Sequence, residues 1–275
     1  MPKPWKDATV LVTGASSGIG RELARQMAPD AKAIALVARR AERLEELADE
    51  LRGRHEGLTV HVRPTDLTDL DACGAMVDDI TAALGRVDVL VNNAGFGDLG
   101  AFDLADWDRL HRMIQLNVTA LTYLAHRLYP PMIAFGRGGI LNVSSGFGLE
   151  FMPGFATYVG TKHYVTGLTE SLASEARPLG VKVTQVCPGP VATEFEQNVG
   201  NFTGEKMPSI AEISAVRCAR SALRGFARGR ALVVPGILIR LLMWSGASTP
   251  RWFKRLLYWP AASWLRTVSP DRPFW

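Results

Sequence analysis

Short apolar runs alternate along this chain with longer stretches whose apolar residues recur every three or four positions. The run ATVLVTG (8–14) is β-branched and ends in glycine, which predicts a buried strand. From Ile19 to Met27 the pattern turns helical, with Leu23 and Met27 one turn apart. Ala33–Ala38 predicts a second strand, and AERLEELADELRG a helix that closes on Gly53 as its C-terminal cap. LTVHVR (58–63) reads as a third strand and Asp69–Leu84 as a third helix. VDVLVNNAG (87–95), GGILNVSS and VKVTQVCPG supply the next three strands. Between them lie a helical stretch from Trp107 to about Ala134, bent or finished near Pro130-Pro131, and a helix from Ala156 to Arg177. A polar segment from Pro190 to Pro208 precedes a helix over 210–227 and a last strand, ALVVP.

Seven strands separated by helices of this length require parallel pairing, because parallel neighbours need crossovers. The strands are nearly continuous Val, Ile, Leu and Ala, as when helices cover both faces of a sheet. The expectation is an α/β fold: a Rossmann-like, doubly wound, seven-stranded parallel sheet over residues 1–235. A helical C-terminal extension follows over 236–275, with no Pro-, Gly- or Ser-rich linker dividing the chain.

With 47% hydrophobic and 21% charged residues, the 275-residue chain has ample material for one core. Its net charge of +4 is unevenly placed. Residues 236–275 carry six basic side chains against the single acid Asp271, while residues 1–235 carry 25 basic and 26 acidic ones. A nucleic-acid reader needs its positive stripe on the fold itself, so that class is excluded. Cys73, Cys187 and Cys218 are spaced for neither a metal knuckle nor a redox pair, and read as buried free thiols. The five histidines show no metal spacing, so no metal is expected. The N-terminus lacks the pattern of a secretory signal, which suggests a cytoplasmic protein.

Gly14, Gly18 and Gly20 follow the first strand and open the first helix. Glycines there let backbone approach a pyrophosphate, and a helix N-terminus offers N–H groups and a positive dipole end. Ser16 and Ser17 can add hydroxyl donors. About 20 residues further on, an acid at the end of the second strand would hold a ribose 2′-hydroxyl. This chain has Val37-Ala38-Arg39-Arg40 instead, which favours a 2′-phosphate and hence NADP(H) over NAD, with Arg39 as the better placed arginine. The alternative is that both arginines pair with Glu42 or Glu45 in solvent.

The motifs together resemble the short-chain dehydrogenase/reductase family. TGASSGIG (13–20), DLTD from Asp66, NNAG (92–95), LNV with Asn117, NVSS (142–145), YVGTK (158–162) and CPGPVAT (187–193) occur in that family's order and approximate spacing. The resemblance spans residues 8 to about 235. It implies a cofactor site of Gly14, Ser16, Ser17, Gly18, Ile19, Gly20, Arg39, Tyr158 and Lys162. Asp66 and Leu67 would lie at the adenine, and Asn93, Ala94 and Gly95 under the ribose. Pro188, Gly189, Val191 and Thr193 would hold the nicotinamide end. Ser17 departs from members that carry a second basic residue there. The catalytic group would be Ser145, Tyr158, Lys162 and Asn117, the last bending its helix and holding a water behind Lys162. A dimer or tetramer is implied as well.

Tyr158 and Lys162, four apart on a helix, share a face. An ordinary tyrosine ionises near pH 10 and is a poor base. A nearby ammonium and an oxidised nicotinamide would lower that value, and about 3 units requires roughly 4 kcal/mol. In reduction the phenol protonates a carbonyl oxygen while Ser145 hydrogen-bonds it; Ser144 points the other way. Phe147, Leu149, Phe151, Met152 and Phe155, with Phe195, Phe202 and Met207, are candidates for an apolar wall that suits a hydrophobic carbonyl or alcohol. A lipid-like 3-oxoacyl or steroid substrate is one alternative, and a non-catalytic dinucleotide sensor is another.

Five of the seven tryptophans lie in 236–275. After Pro250, Trp252, Phe253, Leu256 and Leu257 fall on one side of a helix, and Arg251, Lys254 and Arg255 on another. Three readings remain for this segment: contact with a membrane surface, packing over the active-site cleft, or packing against a second subunit. The run ALVVPGILI meets Arg240 too early to span a bilayer.

Overall fold

Every predicted strand of the first 190 residues forms where the β-branched runs place it. The computed structural model describes residues 3–195, 199 and 212–267. Strands β1 (Thr9–Thr13), β2 (Ala33–Ala38), β3 (Thr59–Pro64), β4 (Val89–Asn92), β5 (Gly139–Val143) and β6 (Lys182–Val186) form in turn. They alternate with helices α1 (Gly18–Met27), α2 (Ala41–Arg54), α3 (Leu70–Leu84), α4 (Trp107–Ile114), α5 (Leu121–Phe135) and α6 (Ala156–Ala176). Beyond them lie a small pair, β7 (Val191–Ala192) and β8 (Ile213–Ser214), then α7 (Ala215–Ala227) and β9 (Leu232–Val233). Helices α8 (Ile237–Ser248) and α9 (Arg251–Thr267) complete the described chain.

The main sheet has seven parallel strands in the order β3-β2-β1-β4-β5-β6-β9. Strand side chains alternate between faces, so Val10 and Val12 enter a core with Leu23, Leu47 and Phe226 from α1, α2 and α7. Leu11 enters the opposite core, with Met76, Ile80 and Leu124 from α3 and α5. The order reverses between β1 and β4. A crevice opens at that point beyond the carboxyl ends of the strands.

Three boundaries differ from the pattern. Gly53 lies inside α2, whose cap is His55 in an extended conformation; the chain turns left-handed only at Gly57. Pro130 and Pro131 sit within α5, which runs on to the left-handed Gly136. The carbonyls they leave unbonded, those of His126 and Arg127, belong to exposed residues and can bond water. Helix α7 begins at Ala215, capped by Ser214, with residues 210 and 211 outside the described range.

The C-terminal extension packs onto the domain with an inverted pattern. Ile239 is buried against Gly189, and Met243 approaches Gly146. On α9 the expected basic side splits. Lys254 turns inward to Glu150 (2.5 and 2.8 Å), while Trp252 and Leu256 face outward. Glu150 is itself buried, so the pair secures α9 to the segment between β5 and α6.

Phe226 is fully buried, stacks on Trp5 at 6.0 Å and fills the space that Gly139 leaves beside β5. Phe226→Ala should lower unfolding free energy by about 3–5 kcal/mol, measured by denaturant titration of the far-UV signal.

Candidate active site

The crevice is shaped by a close approach between the ends of β1 and β4. The Thr13 hydroxyl donates to the Val91 carbonyl (3.2 Å) and accepts from the backbone N–H groups of Asn93 (2.9 Å) and Ala94 (3.0 Å). In turn the Asn93 side-chain amide donates to the carbonyls of Thr13 (3.0 Å) and Gly14 (3.2 Å). Gly14 has φ +64°, and a Cβ there would lie 2.6 Å from the Asn93 amide nitrogen. Only glycine satisfies both conditions. Gly18 (φ +55°) faces the Thr193 side chain, which a Cβ would meet at 3.1 Å. Gly20 has a different part from the one expected: it does not line the crevice. A Cβ on it would strike the Gly14 carbonyl, so it lets α1 start hard against β1.

At the end of β2, Arg39 is exposed on the crevice wall, and its charge reaches Asp66. Burial would raise the Asp66 carboxyl. Hydrogen bonds from the Thr68 backbone and hydroxyl, with the charges of Arg39 and Arg112, hold it below its ordinary range. Arg40 makes the more extensive contacts. Its guanidinium donates to Ser16 Oγ (3.1 Å) and Ser17 Oγ (2.9 Å) and pairs with Glu194 at 2.8 Å. Arg43 pairs with the same carboxylate. The two guanidinium hydrogen bonds outweigh desolvation and push Glu194 down to about 2. Neither arginine takes Glu42 or Glu45 as its ion-pair partner.

Ser145 ends the strand segment after β5, where its hydroxyl accepts from the Phe147 N–H (3.2 Å). Ser144, its neighbour, donates instead to the Lys162 carbonyl (3.2 Å). Tyr158 and Lys162 are both buried in the first half of α6. Lys162 Nζ donates to the Val143 carbonyl (3.0 Å) and lies 5.7 Å from the Tyr158 ring centre.

Asn117 lies in a π-helical segment, Gln115–Ala120, that joins α4 to α5. One extra residue per turn widens the helix and carries the side chain inward. Its amide donates to the Phe96 carbonyl (2.9 Å) and Thr161 Oγ1 (3.2 Å), and its oxygen accepts from the Phe96 N–H (3.2 Å). Asn117 does not line the crevice. It stands behind Gly95, where a Cβ would lie 2.9 Å from its oxygen and 3.5 Å from Lys162 Nζ.

All these walls enclose one cavity of about 1190 Å³, running from Arg39 and Asp66 past Gly14 and Ala94 to Ser145 and Tyr158. Ile19, Leu67, Pro188, Val191 and Thr193 line it too. Phe147, Met152, Phe155 and Phe195 form its apolar end, whereas Leu149 and Phe151 do not reach it. Phe151 packs on Tyr258 of α9 instead, at 5.5 Å. Phe202 and Met207 lie outside the described residues.

The expected lowering of Tyr158 is not supplied by the protein's own groups. Burial pushes its phenol up to about 12, against a hydrogen bond from Ser145 that pulls the other way. Lys162 responds to the same burial by falling to about 8. A dry site penalises both charged forms.

The family model for short chain dehydrogenases matches residues 8–203. The chain belongs to that family. Among its relatives, sulfoacetaldehyde reductase 2 of Chromohalobacter salexigens is 39% identical over 191 residues, 68% of this chain and 73% of that one. The NADP-dependent 3-hydroxy acid dehydrogenase of Schizosaccharomyces pombe is 35% identical over 72% of this chain and 76% of its own length. A short-chain dehydrogenase from Sphingobium yanoikuyae, solved in complex with NADPH, superposes with a TM-score of 0.76 at 33% identity. That match covers 88% of this chain and 93% of the other. This short-chain dehydrogenase is therefore an oxidoreductase that acts on alcohol or carbonyl groups and binds a nicotinamide cofactor. Its glycine-lined cradle, where a Cβ at Gly14 or Gly18 would intrude, fits a dinucleotide.

Pattern reading passed over Arg43 and Glu194, which close the crevice beside Arg40, and the α8 and α9 residues Ile239, Met243 and Trp264, which line the cavity. Arg43 carried a usable signal: it is a third arginine, in the first turn of α2, three positions after Arg40 at the N-cap. Glu194 carried none, and the helix residues only the general reading of a C-terminal segment packed over the cleft.

The phenol of Tyr158 should remain protonated at pH 10, where an ordinary tyrosine is half ionised. Difference absorbance between the protein and Tyr158→Phe, followed from pH 7 to 11, tests this. A full tyrosinate signal by pH 10 would contradict it.

Proposed function

We propose that this oxidoreductase uses NADP(H) to interconvert a carbonyl group and a secondary alcohol on a small hydrophobic substrate. The observation that carries the reading is the single cavity. It joins the glycine cradle and Arg39 at one end to Ser145, Tyr158 and an aromatic wall at the other. When bound, the nicotinamide supplies or accepts the hydride.

The chain's own residues do the remaining work. In reduction, Tyr158 Oη gives its proton to the substrate oxygen while the Ser145 hydroxyl donates a hydrogen bond to the same atom. Burial holds Tyr158 in the protonated form through neutral pH, which suits an acid and therefore the reducing direction. Lys162, kept in place by the Val143 carbonyl beside the Tyr158 ring, is the ionisable group that can return a proton toward Tyr158. Asn117 positions Lys162 from behind, through Thr161 and the Phe96 backbone. Phe147, Phe155 and Phe195 pack around the Tyr158 ring at 6.2, 6.1 and 5.7 Å and keep water from it.

Support for NADP over NAD rests on charge. No acid stands at position 38, and Arg39 and Arg40 flank the ribose end of the cavity. The yeast relative is named for NADP and the Sphingobium neighbour was solved with NADPH. A non-catalytic sensor would have no use for Tyr158, Lys162 and Ser145 gathered around one apolar pocket.

Tyr158→Phe should reduce turnover by about 10³-fold or more while NADPH binding, read by fluorescence titration, changes little. Survival of activity would refute the acid role. Arg39→Ala should weaken NADPH by about tenfold and leave NADH nearly unchanged, since a charge-assisted bond to phosphate contributes about 1.5–3 kcal/mol. Equal losses for the two dinucleotides would remove Arg39 from the phosphate site.

A further inference from the structure

Helices α8 and α9 are two-sided in an unusual sense. On α8, Ile239 and Met243 turn inward and line the cavity, while Ile237, Leu241 and Trp244 form an outward stripe at 71%, 56% and 73% exposure. On α9 the inward positions are Lys254, paired with Glu150, and Tyr258, against Phe151. Its outward stripe is Trp252, Leu256 and Trp259, at 67%, 65% and 74% exposure. A water-facing helix would show the reverse order, with its ammonium outside and its tryptophans inside. Apolar stripes of this kind on two consecutive helices mark a surface that something covers.

Charge selects among the covers. From Ile213 to Pro270 the chain carries ten basic side chains and no acid. Arg251 and Arg255 are exposed beside the α9 stripe, and Arg240 beside that of α8. A second copy docked by a two-fold axis would set this acid-free surface against itself, bringing arginines together with nothing to neutralise them. An anionic bilayer surface meets both requirements. Tryptophan sits favourably at the headgroup level, leucine in the acyl boundary, and arginine among phosphates. No helix among the described residues is long and apolar enough to cross a membrane, so the contact lies in the interface plane.

We infer that the outer face of α8 and α9 docks on an anionic lipid surface. The cavity wall formed by Ile239 and Met243 is then one helix thickness, about 10 Å, from the acyl boundary. This inference does not depend on the proposed reaction, because vesicle binding is measured without turnover.

The test uses the full chain and flotation with vesicles of phosphatidylcholine alone or with phosphatidylglycerol. Binding should appear with the anionic vesicles, weaken as salt is raised, and shift tryptophan emission to the blue. Trp252→Ser with Trp259→Ser, and separately Arg251→Glu with Arg255→Glu, should each lower partitioning by about tenfold or more while thermal melting and NADPH binding stay unchanged. Tyr158→Phe should float like the unaltered protein. Failure to float with anionic vesicles, or equal binding to neutral ones, overturns the inference. So does a dimer seen by light scattering that the tryptophan substitutions dissociate, since that result gives the face to a second copy.

Discussion

The close approach of β1 and β4 is the constraint on which the rest of this protein depends. Parallel pairing brings the carboxyl ends of all the strands to one edge, and the order of strands reverses where these two meet. There the Asn93 side chain occupies the volume that a Cβ at Gly14 would need, and Thr13 ties both strand ends together. The cradle is therefore made mostly of backbone, stiffened by hydrogen bonds within the protein. The glycine loop, the arginines after β2 and the serine after β5 are all placed relative to it.

A second theme is the cost of dryness. Tyr158 and Lys162 are buried among aromatic rings, and burial moves each toward its neutral form. That arrangement keeps the phenol a proton donor over a wide pH range and makes the lysine an unusually weak base for its type. Because burial outweighs the Ser145 hydrogen bond and opposes the tyrosinate, forming that anion calls for a further positive charge in the pocket. Asn117, on the π-helical segment, serves this pair from behind, bracing α6 through Thr161, while its neighbour Leu116 lines the cavity.

The C-terminal helices join the site to the surface. They contribute Ile239, Met243 and Trp264 to the cavity and are held by the buried Glu150–Lys254 pair. A buried ion pair of this sort is a weak source of stability but a strong fixer of geometry, since either partner left alone would be an uncompensated charge. Cavity lining and the exposed apolar stripes thus share one pair of helices.

The strands, the parallel fold, the glycine loop and the Ser-Tyr-Lys group were legible because each is local. A β-branched run, a glycine requirement at a strand-to-helix turn and an i,i+4 pair are written in neighbouring residues. Tertiary structure decided what depends on partners distant in the chain. Glu194 finds Arg40 and Arg43 more than 150 positions away, and Lys254 finds Glu150 104 positions away. Periodicity showed that α9 is amphipathic but could not tell which side turns inward, because a hydrophobic pattern has no sign until something packs against it. The raised pKa of Tyr158 has a related origin: proximity along a helix is visible in sequence, whereas the burial that dominates the phenol exists only in the folded chain.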